Sequence, residues 1–168
     1  GTATIKDDGT GTIFTNTPTG DTPGTDGSTV KNDDRPLTVG NVEVNEGSPY
    51  AVFTVSGAAN QLATLSLAAG TATGGGTDFS AGSGSGLQYW DGSAWQTYTA
   101  GTTVALNANG KLLVRTAITN DTFADNSETF QLTVTPTVGT AATGTATIKD
   151  DGTGTIFTNT PTGDTPGT

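Results

Sequence analysis

The side chains in this chain with the widest choice of chemistry are its sixteen Asp and Glu residues, and most fall in breaks between apolar runs. The breaks hold Asp33 with Asp34, Glu46, Asp78, Asp121 with Asp125 and Glu128, and Asp150 with Asp151. The chain has no Cys and no His. That excludes Ser-His-Asp and Cys-His nucleophiles, thiolate or imidazole zinc sites, disulfides and a histidine proton switch. What remains is oxygen chemistry: either carboxylate acid/base catalysis or hard cations, calcium first among them. A glycosidase pair could be drawn from Asp121 and Asp125, or Glu46 and Glu128. Those acids sit in loops, and with only 7% aromatic residues the chain has little from which to build a sugar cleft. The expectation is a non-catalytic protein.

The net charge is -10, and six Lys and Arg cannot form a basic stripe. Nucleic acid is therefore not an expected partner. No apolar run approaches the ~20 residues of a membrane span, so no membrane insertion is expected. Length suits one domain of the usual ~100–200 residues. With no initiator Met and no signal-peptide pattern, the chain reads as a soluble piece of a longer protein, monomeric in isolation.

Gly1 to Thr25 returns letter for letter as Gly144 to Thr168, at an offset of 143 residues. The chain is thus one whole period preceded by the tail of another, which points to a tandem array. Residues 1–34 read as the tail of a preceding repeat plus a Thr/Gly/Pro-rich linker, 35–151 as the folded unit, and 152–168 as the start of the next linker. The Thr12-Ile13-Phe14 triplet could still add a short edge strand to a neighbour.

From Arg35 onward the pattern is short, alternating and rich in β-branched residues: Leu37–Val44, Ala51–Val55, Gln61–Leu67, Thr129–Thr135 and Thr143–Lys149. Asp91-Gly92 and Asn109-Gly110 mark hairpins. Many short antiparallel strands with frequent turns predict an all-β, immunoglobulin-like β-sandwich behind an extended N-terminal linker. Strand parity then makes a geometric claim. Counting four short strands between Asp78 and Asn120, every break from Glu46 to Asp151 returns to one pole, while Asp33 and Asp34 lie at the other.

Carboxylates gathered there repel, by about 1 kcal/mol per pair at 4 Å in water and several-fold more near a protein surface. Lys149 is the one nearby cation, and its side chain should face away from Asp150. Calcium held by Glu46, Asp78, Asp121, Asp125, Glu128, Asp150 and Asp151 would remove the strain. Taken singly, each acid could equally serve only solubility and protection of strand edges.

The stretches VEVNEGSPYAVFTVSG from Val42, GTATGGGTDFS, AITNDTFADNSETFQLTV and GTATIKDD resemble the Calx-beta domain, particularly the tandem repeats of giant type I-secreted bacterial adhesins. The resemblance runs from Pro36 to Asp151. It implies calcium ligands at Glu46, at Asp78, at the run matching Asn120, Asp121, Asp125 and Glu128, and at Asp150 with Asp151. Asn120-Asp121-Thr122 stands where the family often has three acids, a departure that bears on one of the usual ions. The resemblance further implies a stalk module at the bacterial surface, projecting a ligand-binding tip for attachment and biofilm formation, with neighbouring repeats as its partners. Secretion as an unfolded, calcium-free chain is implied as well, with folding coupled to binding outside.

A second reading uses Tyr89, Trp90, Trp95 and Tyr98, which surround one hairpin beside Asp91, Ser93 and Gln96 and could stack on a glycan. Its plain counterpart is a Trp plugging the core while the other rings cover a sheet face.

Overall fold

The computed structural model describes residues 1–15, 17–26, 33–80, 85–158 and 160–168. Among them there is no helix. A two-stranded ribbon, β1 (Ile13–Phe14) with β2 (Thr25–Asp26), precedes a sandwich of two five-stranded sheets. The first sheet runs in the order β3 (Thr38–Val39), β5 (Tyr50–Ser56), β10 (Lys111–Ala117), β7 (Leu87–Trp90) and β8 (Trp95–Thr97). The second runs β4 (Val42–Asn45), β12 (Ala142–Lys149), β11 (Glu128–Pro136), β6 (Leu62–Ala69) and β9 (Val104–Ala105). The protein is an all-β, immunoglobulin-like sandwich. Its ladders are antiparallel except for β4 against β12, which is parallel.

Alternation along β11 explains how the sheets close. Phe130, Leu132 and Val134 are fully buried, with exposed Gln131 between the first two. Phe130 meets Phe53 of the opposite sheet edge-on at 5.9 Å and stacks on Phe79 at 4.2 Å. Such pairs add about 0.5–1.5 kcal/mol to what burial alone supplies.

Leu37–Val44 is not the single strand that its alternation suggests. Gly40 donates its N–H to Thr54 O of the first sheet (2.9 Å), while Asn41 Oδ1 receives the Thr145 N–H of the second (2.8 Å). Two ladders compete for one segment, so the chain steps between sheets at Gly40-Asn41. The step requires a residue without a side chain on the neighbouring strand. A Cβ at Gly144 would lie 2.5 Å from Val39 Cγ1 and 2.7 Å from Gly40 O.

Beyond β12 the chain stays on the sandwich. Thr155 forms a parallel bridge to Val44, giving its carbonyl to Asn45 N–H and its N–H to Glu43 O. This is the edge contact open to the Thr-Ile-Phe triplet, made to β4. Phe157 then joins the core at 6% exposure, its N–H on Ser48 Oγ at 2.9 Å. A hairpin closed by Thr158 N to Gly167 O and by Thr162 with Thr165 carries Asp164 to the far end of the first sheet. There it meets the side-chain amides of Asn107 and Asn109.

The first copy of this sequence is an internal control, because it lies before the described sandwich and the second copy lies after it. Its hairpin closes the same way, through Thr15 N to Gly24 O and Thr19 with Thr22. Two of its apolar side chains stay in solvent. Ile5 is 95% exposed where Ile148 is 5%, and Phe14 66% where Phe157 is 6%. Local sequence therefore makes the hairpin, and tertiary contact alone buries the ring. Phe157→Ala should cost roughly 3–5 kcal/mol, as for a core Phe. Phe14→Ala, the same change at the same local sequence, should stay within about 0.5 kcal/mol. Urea denaturation of the two variants checks this, and equal losses would contradict it.

Candidate metal centre

Strand β4 ends in a tight turn. Asn45 Oδ1 accepts the Gly47 N–H (2.9 Å) and Asn45 O accepts the Ser48 N–H (2.9 Å). Glu46 N–H donates to Lys149 O, so Glu46 is fixed beside the end of β12. Its carboxylate is buried at 7% exposure and accepts the Asp121 N–H on Oε1 at 2.9 Å. Burial pushes the Glu46 carboxyl upward, the Asp121 N–H opposes this, and neighbouring Asp150 and the Asp121 charge add to the rise. One side chain thus links three breaks.

Asp78 is set from below by the core. The adjacent Phe79 lies on Phe130 and bridges Ile118, and Thr119 donates its N–H to Asp78 O. Asp78 Oδ2 takes the Thr73 N–H at 2.5 Å. Glu128 opens β11 opposite Ile148. Asp78, Asp125 and Glu128 each turn a carboxylate oxygen into one space, the three atoms lying within 4.8 Å of one another. Burial, then the Asp78, Asp125 and Asp121 charges, pushes Glu128 up to about 7. The arrangement is therefore short of positive charge. With Ca–O distances of about 2.3–2.6 Å, ligand oxygens around one ion lie at most about 5 Å apart, and this donor set fits that span.

The remaining residues anticipated from sequence take other positions. Asp150 donates its N–H to Asn126 Oδ1 (3.2 Å) and interacts with Glu46 through its side chain. Asp121 Oδ1 is occupied by Phe123 N–H (2.7 Å) while its charge acts on both Glu46 and Glu128. Asp151 turns outward: Thr153 and Asn126 Nδ2 bind its carboxylate and hold it below its ordinary value. Asn120 sits over Gly47, whose added Cβ would come within 3.9 Å of Asn120 Nδ2. Lys149 Nζ reaches Ser127 Oγ at 3.3 Å. Asn126 and Asn45 were missed in the sequence. Asn126 joins Asp150 to Asp151, and Asn45 Nδ2 holds Thr153 O at 2.7 Å. Amides in acid-rich loops were the available signal.

The aromatic hairpin divides. The plug is Tyr98, not a Trp: it is 1% exposed, donates Oη–H to Thr102 O (2.8 Å) and accepts the Leu65 N–H (3.0 Å). Trp90 and Trp95 meet edge-on at 5.5 Å on a sheet face. Arg115 lies over Tyr50 at 3.7 Å and over Trp95 at 4.3 Å, and burial lowers its pKa. Asp91 is consumed by Ser93, Ala94 and Gln96, which drive its pKa far down.

No protein-family model matches the chain, and no curated protein does, so the Calx-beta resemblance rests on its motif residues. Solved structures with a similar arrangement include the periplasmic chaperone SfaE, at 9% identity and a TM-score of 0.43 over 70% of this chain and 58% of that one. The Pseudomonas aeruginosa CupB2 chaperone matches at 10% identity, TM-score 0.41, over 67% and 54%. The E. coli chaperone DraB matches at 10% identity, TM-score 0.42, over 70% and 56%. The chain spans somewhat more than half the length of each. Scores this low carry no functional argument.

The sign of the pH response follows from Glu128. Its folded value of about 7 lies above the ordinary 4.5, so across that window the folded chain holds a proton that the unfolded chain has released. Without added cation, stability should fall as pH rises from about 4.5 to about 7, with Glu46 adding the same sign. Melting in chelator at about pH 5 and about pH 7.5 measures it, and Glu128→Gln should remove most of the slope. A midpoint that rises across this window would refute the assignment.

Proposed function

We propose that the chain is a non-catalytic, calcium-stabilised extender module of a repetitive bacterial surface adhesin, secreted and displayed outside the cell. Its partners on this reading are neighbouring repeats of the same chain, and it holds the adhesive tip away from the surface for attachment and biofilm formation. The observation that carries the reading is the meeting of Asp78, Asp125 and Glu128 at one pole, with Glu46 and Asp150 beside them. Four breaks separated in sequence supply these groups. A catalytic pair would need substrate space and a polar network around the raised acid. Here Glu128 owes its raised value to burial and to surrounding carboxylates, which is the setting of an ion cage.

The motif resemblance supports the same reading, as do the exact repeat and the absence of Cys from a chain placed outside the cell. Nothing in the acidic surface favours nucleic acid. No described helix is long and apolar enough to cross a membrane. On this reading repulsion among the acids weakens the cation-free fold without abolishing it, so stability is coupled to binding.

Titration calorimetry on chelator-treated protein tests the proposal. Calcium at a hundred times its Kd should stabilise the fold by about 2.7 kcal/mol and raise Tm by roughly 5–10 °C. Asp78→Asn with Glu128→Gln should abolish both signals. Absence of heat and of a Tm shift at millimolar calcium would end the proposal.

A further inference from the structure

We infer that Arg35 and Asp33 form a socket for the exit turn of the preceding repeat, so that successive modules meet at a fixed joint instead of across a free linker. The inference rests on the tandem-repeat reading and is independent of calcium. Residues 6–11 are, by exact repetition, the turn that follows the last strand of a module, and they correspond to Lys149 to Gly154. In this chain they lie against the entry pole of the module that comes after them. Arg35 Nη2 donates to Asp8 O at 3.1 Å.

The socket is built into the sandwich. Arg35 is gripped by Asp33 through Nε to Oδ1 (2.8 Å) and Nη2 to Oδ2 (2.7 Å), and Asp33 is 7% exposed. This fork is the strong, planar form of a charge pair. Arg35 holds the Asp33 carboxyl below its usual value. The backbone behind it is fixed as well, since buried Gln61 donates Nε2–H to Arg35 O. Asp34 lies against Gly139, in the turn between β11 and β12.

The incoming turn is preformed. Asp8 Oδ1 accepts the Thr10 N–H at 2.9 Å, as Asp151 Oδ1 accepts that of Thr153 at 3.0 Å. Gly9 and Gly152 have φ of 69° and 80°, and Gly11 and Gly154 have 88° and 86°. The two copies share these dihedral angles although only the second follows a described sandwich.

The faces of this turn are divided between two modules. The second copy uses the Asp151 carboxylate and Thr153 O to hold its own sandwich, through Asn126 and Asn45. The first copy gives the socket different groups, Asp8 O and the bare Cα of Gly9. A Cβ on Gly9 would lie 3.1 Å from Asp33 Cβ, whereas one on Gly152 would meet nothing within 4 Å. The face open on Gly152 is therefore the face that Gly9 presses onto Asp33. A turn in mid-array can satisfy both sets at once. Opposing the joint are Asp7 and Asp34, whose repulsion raises the Asp7 carboxyl, while the hairpin closed between Thr15 and Gly24 shortens the chain between turn and socket.

Paired spin labels test the joint in the intact chain, which has no native Cys to interfere. With labels at exposed positions Thr12 and Thr140, the native chain should give one narrow distance distribution, in calcium and in chelator alike. Arg35→Ala should broaden it to that of a free tail. Arg35→Lys, which keeps the charge and loses the fork, should broaden it too while the near-ultraviolet spectrum of the sandwich stays native. A broad distribution in the native chain, or a narrow one in a folded Arg35 variant, overturns the joint. Failure of calcium binding beside a narrow distribution in chelator would overturn the metal reading alone.

Discussion

Stacking of Phe79 on Phe130 at 4.2 Å is the contact on which the acidic pole depends. Asp78 precedes one ring and Glu128 stands two residues before the other, so packing that stabilises the sandwich also forces two carboxylates together. A side chain in a dense core cannot drift to relieve a charge above it. The result is a pole where burial first, and the neighbouring carboxylates second, push Glu128 up to about 7. Hydrophobic burial supplies the free energy that holds like charges in place, and the proposed calcium would offset that repulsion.

Repetition of one sequence in two environments separates local from tertiary causes within a single molecule. The hairpins Thr15–Gly24 and Thr158–Gly167 close alike, and the turns at Asp8 and Asp151 share their dihedral angles. Those features belong to the Gly, Pro and Asp chemistry of the segment. Burial of Ile148 and Phe157, and the lack of it for Ile5 and Phe14, belongs to the presence or absence of a sandwich. The residues following β12 are consequently a strap on their own module, and the joint at Arg35 begins where that strap presents its other face.

Much of the fold was legible because strand alternation and turn chemistry are local. β5, β6, β11 and β12 fall close to the runs that alternation marks, β10 follows the Asn109-Gly110 turn, and four described strands separate Asp78 from Asn120. The break at Gly40-Asn41 was not legible, since the pattern continues through it and only competition between two sheets cuts it. In the same way the pole was legible as a direction but not as a geometry. Parity could send Glu46, Asp78, Glu128 and Asp150 to one end. It could not place the Asp151 carboxylate on Thr153 and Asn126, because adjacent residues on one strand end diverge according to contacts made elsewhere.

Composition and order alone determined the class of chemistry open to this protein, its all-β character and its repeat, because those depend on which side chains exist and on short-range periodicity. Tertiary structure alone decided which oxygens share a space, that Tyr98 and not a Trp fills the core, and that Arg35 faces the turn at Asp8. Each of these is a contact between segments far apart in the chain. Its geometry is set by packing across the sandwich, where no local preference can reach.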